Sequence, residues 1–575
     1  MLLNHLTIKN FRNFESIELS LTNKNVVFGL NDIGKSNFLA AIRFLLDINY
    51  RRSGFVDSDF YNRNTDKEIE ITLKIDISDF ANDDNKKIRT MMKGAIPSNE
   101  DFVFIQVKSV YNSDILIGEP DMFWGVNYQK LEAIPSTQTR FALDNFFNIV
   151  YIDSSIQLDI TFRRYSKEIF KKESSITQDE KKKLDKSIKD FNSSISKLGS
   201  IKSFETEILD EYKRFREEKN LKVSIQSEIE ISNIHSKLTP FIQDDKSQNY
   251  PTSGDGRRKL LAYTLVTLEN RKIEDKKINI FLIEELENHF HRSMQIALSY
   301  ELFNDVLFKH LFITTHSSLI VSQMDNVNLI KLYKECKVVG KSHVYVVPQE
   351  YKKMKQKLNQ NLAEAIYADY VLLVEGPSEK VIFDRILVDK CPKYESLGGY
   401  ILEVDGINFK EYYSVLKALG ISIIAKTDND IQKVKSKDLY LLTGFNRCLG
   451  LIGKSATLHM SGLDFNKYEN DSSYSVDIKK SNYDKAKRIR KKLNDNQIFL
   501  SRVDLENDLF EVIPGVLNNL ATNNGSKKSG VDYLQSAKLV NMIELCKDMT
   551  PYSINKIYSH EHFQCIRKLV KLCNQ

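Results

Sequence analysis

Residues 371 to 380 read VLLVEGPSEK, in which four apolar residues run into Glu375, a Gly-Pro turn follows, and Glu379 comes four residues after the first acid. A buried strand of Val371, Leu372, Leu373 and Val374 delivers Glu375 to its end, and a helix opening at Ser378 returns Glu379 to the same place. Such a pair suits a divalent cation. The arrangement recurs as Asp428 and Asp430 in ISIIAKTDND, and as Asp504, Glu506 and Asp508 in IFLSRVDLENDL. In both stretches apolar residues lead into acids spaced by two, and the two-residue period of a strand predicts that alternate acids share a side. Hard oxygen donors of this kind hold Mg²⁺ or Mn²⁺, ions that stabilise the attacking and leaving oxygens of a phosphodiester. Acids at strand ends also cap helices and turns, but three clusters in one half of a chain count against that reading.

A second chemistry is written near the start. Val26, Val27 and Phe28 form an expected strand that runs into GLNDIGKS, residues 29 to 36, and then into a helix. The segment matches the phosphate-loop pattern GxxxxGK[ST] in its strand-turn-helix setting. Asn31, Asp32, Gly34, Lys35, Ser36 and Asn37 are thereby expected to bind a nucleotide. Backbone N–H groups and the helix N-terminus cradle phosphates, Lys35 neutralises the terminal ones, and Ser36 ligates Mg²⁺. Glu284 and Glu285 end a buried strand in INIFLIEE, suited to a metal-linked acid and a water-orienting base, and His316 in LFITTHS is placed to reach a terminal phosphate. Ser253, Gly254 and Gly256, followed by Arg257, Arg258 and Lys259, make a small basic loop before a helix. Loops of that type contact the phosphate of a nucleotide held by a partner subunit.

The elements that must position these residues follow from periodicity. LTIKNF, ESIELSL and KNVVFGL read as strands, Asn37 to Leu46 as a helix, and residues 68 to 77 and 101 to 111 alternate with period two. Between about 160 and 225 the composition shifts to Lys, Glu, Ser and Asp. There Leu184, Ile188, Phe191, Ile195, Leu198, Ile201 and Phe204 step by threes and fours, predicting a long helix or a helical hairpin that turns near Gly199. The apolar stripe either packs on its own domain or forms a dimer seam, and the seam is the expectation because so exposed an insertion has little else to lie on. Alternating strands and helices resume at about 240. A helix over 357 to 370 leads into a second α/β unit, in which Lys485, Lys487, Arg488, Arg490, Lys491 and Lys492 form a positive run. Lys352, Lys353, Lys355 and Lys357 form another at its entry.

Composition narrows the class. A chain of 575 residues exceeds one core, and 42% apolar with 28% charged residues is that of a soluble globular protein. A net charge of +6 permits a nucleic-acid partner. Six cysteines without CxxC spacing predict reduced thiols, and MLLNHLTIKNFRNF lacks a signal-peptide core, so a cytoplasmic protein is expected.

In order and spacing, NFRNF, GLNDIGKSN, SGDGRRK, FLIEELE and TTHS resemble an ABC-type ATPase head of DNA-repair and chromosome-maintenance proteins. VEGPSEK, TDND and DLEND resemble a Toprim metal-nuclease domain, and together the two halves resemble the OLD family of endonucleases, in particular the nuclease subunits of Gabija anti-phage systems. The resemblance implies an α/β chain: residues 1–160 and 241–347 as the two parts of the ATPase head, 161–240 as a helical dimerisation insertion, and 348–575 as a C-terminal Toprim domain. It also implies roles. Glu375 is the acid-base or metal-bridging residue, Glu379 a ligand of the same ion, Asp428 and Asp430 the DxD pair, and Asp504 and Glu506 the second ion site. Lys538 steadies charge on the phosphate, and Asp405 contributes from further out.

The implied activity is endonucleolytic cutting of double-stranded DNA with two Mg²⁺ or Mn²⁺ ions, regulated by ATP, in a homo-oligomer such as a dimer of dimers working with a helicase-like partner protein. Two departures from such heads stand out: Glu284 where Asp is usual, and Leu286 where Pro is usual. A longer carboxylate displaces a bound ion by about one methylene, so nucleotide is expected to be sensed more than consumed. The alternative is an SMC- or RecF-like repair ATPase whose Toprim unit is structural, which has no need of so many acids. A topoisomerase requires a tyrosine-bearing DNA-binding domain for which no segment is left over.

Overall fold

Period-two alternation near the N-terminus builds the first sheet of the computed structural model. That model describes residues 1–29, 33–92, 100–137, 140–158, 160–163, 178–195, 197–215, 222, 242–243, 249–250, 255–271, 277–323, 327–333, 343–346, 361–404, 409–434, 439–455 and 457–575. The strands lie in the order Phe14–Ser20, Leu2–Phe11, Ile69–Asp76, Phe102–Ser109, Asp121–Gly125, Glu132–Ala133, all antiparallel. Leu6, Ile8, Ile71, Ile75, Ile105 and Val107 are buried, so one face of the sheet packs on the core.

The chain divides into two units, the first made of 1–151, 280–287 and 292–575 and the second of 152–279 and 288–291. In the first unit a second sheet runs Phe147–Ile152, Ile278–Ile283, Leu311–Thr315, Lys24–Phe28, Asn328–Lys331, His343–Val346. Its middle pairs are parallel, with Phe28 opposite Thr315 and Ile283 opposite Ile313. All six residues of Ile278–Ile283 are buried, as the continuous apolar run predicts for a strand covered on both faces.

A third sheet, also in the first unit, is wholly parallel: Gly399–Glu403, Tyr370–Val374, Ser422–Thr427, Ile498–Leu500. Leu372, Val374, Ile382, Phe383, Ile424 and Phe499 share its core with the C-terminal helices. Each such side chain contributes about 1.5–3 kcal/mol by leaving water.

The second and third sheets meet at Lys331, which is 3% exposed. Its Nζ donates to the Ala368 carbonyl at 2.6 Å and lies 3.6 Å from Asp369, at the start of the strand that ends in Glu375. Beside it, Tyr367 packs edge-on against Phe28 with ring centroids 5.5 Å apart.

In the second unit, Gln178–Ile195 and Gly199–Phe215 are two helices, so Gly199 opens the second helix and the break falls just before it. Phe191, Leu198 and Phe204 remain about half exposed, leaving part of the apolar stripe uncovered in the single chain. Among the described residues, no helix is long and apolar enough to cross a membrane.

The strand period does not govern DLEND. Asp504 caps the helix Leu505–Val512, accepting from Asn507 N at 2.8 Å, so Glu506 and Asp508 lie on opposite sides of a helix. Asp508 turns into the core, 3.2 Å from the buried Lys426 Nζ, which also donates to the His562 carbonyl at 3.1 Å. Removing one partner strands the other as a buried charge. Asp508→Ala is therefore expected to destabilise the protein by about 3–5 kcal/mol, with Lys426→Met/Asp508→Leu recovering part of the loss. Denaturant unfolding checks this, and a loss well under 1 kcal/mol would count against the pair's structural role.

Candidate functional site

Parallel strands place all their carboxyl ends at one edge of a sheet, and the third sheet does this with its acids. Val374 leads into Glu375, Thr427 into Asp428, and Leu500 into the short turn before Asp504. Pro377 starts the helix Pro377–Lys390 after the extended Gly376, which puts Glu379 in the first turn and 9% exposed. Glu375 Oε1 then accepts from the Thr427 hydroxyl at 2.5 Å and from the Asp428 amide at 2.8 Å, tying the first acidic strand end to the second. Asn429 is fully buried between Asp428 and Asp430, donating to the carbonyls of Lys479 and Arg502, each at 3.0 Å. That anchors the acid loop to the turn before Asp504.

The third acidic end joins through a lysine. Lys538, first residue of the helix Lys538–Asp548, holds its Nζ 3.6 Å from Glu506 Oε1. Burial opposes its charge, but Glu506, Asp428, Asp504 and Glu379 hold it above the ordinary lysine value. The same crowding acts on the acids. Burial, followed by the charges of Glu375 and Glu506, pushes Glu379 up to about 7. Burial and the charges of Glu375, Glu379, Asp504 and Asp430 push Asp428 well above the carboxylate range, and burial raises Glu506 too. Glu506 is 1% exposed, and its Oε2 is buried without a hydrogen-bond partner. An all-carboxylate set whose members disfavour one another's charge, with an orphaned buried oxygen, fits a hard divalent cation. The set is gathered but not closed: among the described residues, no three acidic, His or Cys side chains stand close enough around one point to hold an ion.

Asp430 joins the group by another route, through a residue that sequence reasoning missed. Arg447 Nη2 lies 3.4 Å from Asp430 Oδ2, while Nη1 donates to Glu375 Oε1 and the Thr427 hydroxyl. Lys479 stands 3.8 Å from the other Asp430 oxygen. Neither cation falls in a motif, and no spacing rule marks them. Asp405 lies outside the described residues, and Asp508 faces away from the acids to pair with Lys426.

The nucleotide loop sits at the corresponding edge of the second sheet. Gly34 caps the helix Lys35–Leu46 with φ 102°, and a Cβ there would meet the Asn13 side chain at 2.2 Å. Lys35 folds back toward its own loop, Nζ to the Gly29 carbonyl at 3.3 Å, while Ser36 and Asn37 follow in the first turn. Asn13 donates to the Ile33 carbonyl at 2.9 Å and accepts from Asn37 at 2.8 Å. Arg12 reaches Asn37 Oδ1 at 3.0 Å and Asp59 at 2.8 Å. The Arg-Asn pair of NFRNF thus braces the phosphate loop, a role its sequence did not disclose. Asn31, Asp32, Ser253 and Gly254 lie outside the described residues, as do Lys352, Lys353, Lys355 and Lys357.

Parallel register brings Glu284, Glu285 and His316 to the same edge as the loop. His316 Nε2 lies 3.8 Å from Glu285 Oε1, and burial followed by the charge of Lys35 lowers its pKa, favouring the neutral ring. Glu285 adopts φ 42° with its amide 3.2 Å from Thr314 Oγ1. The organiser of this turn is Glu287, another residue missed: its carboxylate accepts from Thr315 Oγ1 at 2.9 Å and from the His316 amide. Lys259, read from sequence as part of a phosphate-contacting loop, is instead 3% exposed within the helix Asp255–Arg271, donating to the Asn288 carbonyl at 3.0 Å.

Comparison with known proteins agrees with this division of chemistry. Residues 1–196 match the AAA ATPase domain family, and residues 366–430 match the TOPRIM domain of overcoming lysogenization defect protein-like sequences. A solved structure of the C-terminal region of the Burkholderia pseudomallei OLD protein aligns at 17% identity and a TM-score of 0.23, covering 36% of this chain and 99% of that one, a likeness too slight to bear on the site. A protein named Endonuclease GajA from Bacillus cereus strain HuB5-5 is 22% identical over 350 residues, 54% of this chain and 49% of that protein. Endonuclease GajA from Bacillus cereus strain VD045 is 40% identical over 594 residues, which spans 99% of each. At that identity and coverage, the chain belongs to the GajA endonuclease family.

Proposed function

We propose that the chain is a metal-dependent endonuclease acting on double-stranded DNA in anti-phage defence, with cutting regulated by nucleotide at the ATPase head. The observation that carries this reading is the gathering of Glu375, Glu379, Asp428, Asp504 and Glu506 at one edge of a parallel sheet, with Lys538 beside Glu506. With Asp430, these acids would hold two Mg²⁺ or Mn²⁺ ions, which when bound polarise the scissile phosphate and activate water. Lys538 adds a mobile positive charge at the rim, where it offsets charge on the phosphate. Lys487, Arg488, Lys491 and Lys492 are exposed on the helix Lys487–Asp495, a surface suited to the DNA backbone and to salt-dependent binding. A purely structural Toprim unit, the alternative, has no use for buried acids that repel one another.

The phosphate loop, Glu284, Glu285 and His316 form the regulatory nucleotide site, completed by the Ser253–Gly254 loop of a second copy. We assign residues 161–240 to dimerisation, consistent with the half-exposed Phe191, Leu198 and Phe204, and a dimer of dimers to the assembly. The partner is a GajB-type helicase-like protein, and the compartment is the cytoplasm.

Glu375→Ala and Asp504→Ala are each expected to abolish cleavage of supercoiled DNA in Mg²⁺ or Mn²⁺ while leaving mobility-shift binding intact; cutting retained by both variants would end the assignment. The head is expected to turn ATP over slowly in steady state, and Glu284→Asp to raise the rate roughly ten- to a hundred-fold by restoring the shorter carboxylate. Fast phosphate release by the unmodified protein would contradict this, and Lys35→Ala should remove nucleotide binding altogether.

A further inference from the structure

The helix Thr443–Leu451 lies directly on the loop that carries Asp428 and Asp430. Gly444 makes this possible: a Cβ there would come 2.3 Å from the Asp428 carbonyl oxygen and 3.0 Å from Asn429 Cα. Its amide donates to the Asp430 carbonyl at 3.1 Å. Phe445 and Cys448 bury the helix on its other sides, and Arg447, three residues beyond Gly444, shares the close-packed face. The guanidinium is therefore aimed at the acids by the backbone. It is largely enclosed, with 15% of its side chain exposed against 18% for Glu375, and it lies 5.7 Å from the Phe409 ring centroid.

Glu375 Oε1 accepts from Thr427, the Asp428 amide and Arg447 together. An oxygen with three donors has no lone pair left for a cation. The same guanidinium spans to Asp430, so one arginine occupies oxygens on two of the acids that would hold the ions. Of the other cations near the group, Lys538 has 58% of its side chain exposed and is free to move aside, and Lys479 reaches Asp430 alone, whereas Arg447 spans Glu375 and Asp430 and is held by packing.

We propose that Arg447 is a positioning residue that acts as a built-in counter-cation. It fixes Glu375 and Asp430, and an ion that takes Glu375 Oε1 must first displace it. Arg447 thereby sets the ion concentration at which the site loads. The inference rests on the metal reading of the preceding section, and the test separates the two.

Mn²⁺ binding to the full-length protein, without DNA, is measured by titration calorimetry for the unmodified chain and for Arg447→Gln, Arg447→Lys and Glu375→Gln. Arg447→Gln should bind Mn²⁺ about tenfold more tightly, the scale of one partly buried charge pair. Arg447→Lys, which keeps the charge but cannot span both acids, should fall between. In chelator Arg447→Gln should unfold at a lower temperature than the unmodified protein, and saturating Mn²⁺ should erase that gap. Unchanged or weaker Mn²⁺ binding by Arg447→Gln overturns the proposal. Should that variant not fold, Arg447→Lys decides by the same criterion. If Glu375→Gln abolishes Mn²⁺ binding while Arg447→Gln fails to tighten it, only the counter-cation role falls. If Glu375→Gln leaves binding unchanged, the metal reading falls and takes this proposal with it.

Discussion

Repulsion among carboxylates crowded at one sheet edge is the constraint that the second half of this protein is built to contain. A parallel sheet has no choice about where its carboxyl ends go, so acids that follow Val374, Thr427 and Leu500 must meet. Burial makes the crowding costly, as the rise of Glu379 to about 7 indicates. The surroundings answer with cations whose freedom differs. Lys426 is sealed in the core against Asp508, Arg447 is wedged between Glu375 and Asp430, and Lys538 waits half in solvent beside Glu506. The deepest of these serves the fold, and the shallower two face the remaining acids.

Much of this was legible in the residues themselves. An apolar run that stops at an acid announces a strand end, and the phosphate loop announces its strand and helix together. The strands around Val26, Ile280 and Leu372 lie where their continuous apolar runs place them. Periodicity failed at DLEND, because Asp504 is a good N-cap and converts the following residues to helix, which sends Glu506 and Asp508 in different directions. In TDND it is Asn429 that is buried, by two carbonyl contacts, while the acids on either side of it are partly buried.

What stayed hidden shares a physical character. Arg447, Glu287, Arg12 and Asn13 reach functional segments across long sequence separations, and nothing local marks them. Gly444 is the instructive case, since its role as a point of helix-to-loop contact depends on a neighbour sixteen residues earlier. Lys259 erred in the other direction. A lysine beside two arginines looks like part of a phosphate-binding patch until its ammonium is found capping the Asn288 carbonyl inside the protein.

The two sheets are in contact within their unit. Phe28, the last residue before the phosphate loop, touches Tyr367, and the neighbouring strand sends Lys331 to Ala368 and Asp369, where the strand ending in Glu375 begins. Burial lowers the Lys331 pKa to about 8, offset in part by Asp369, so the contact is expensive to break. Sliding one sheet past the other would leave that ammonium without its carbonyl in a dry setting, at a cost far above thermal energy. The strand that runs into the phosphate loop and the strand that runs into Glu375 are therefore joined within one unit by an aromatic contact, Phe28 to Tyr367, and by a buried ammonium, Lys331 to Ala368 and Asp369.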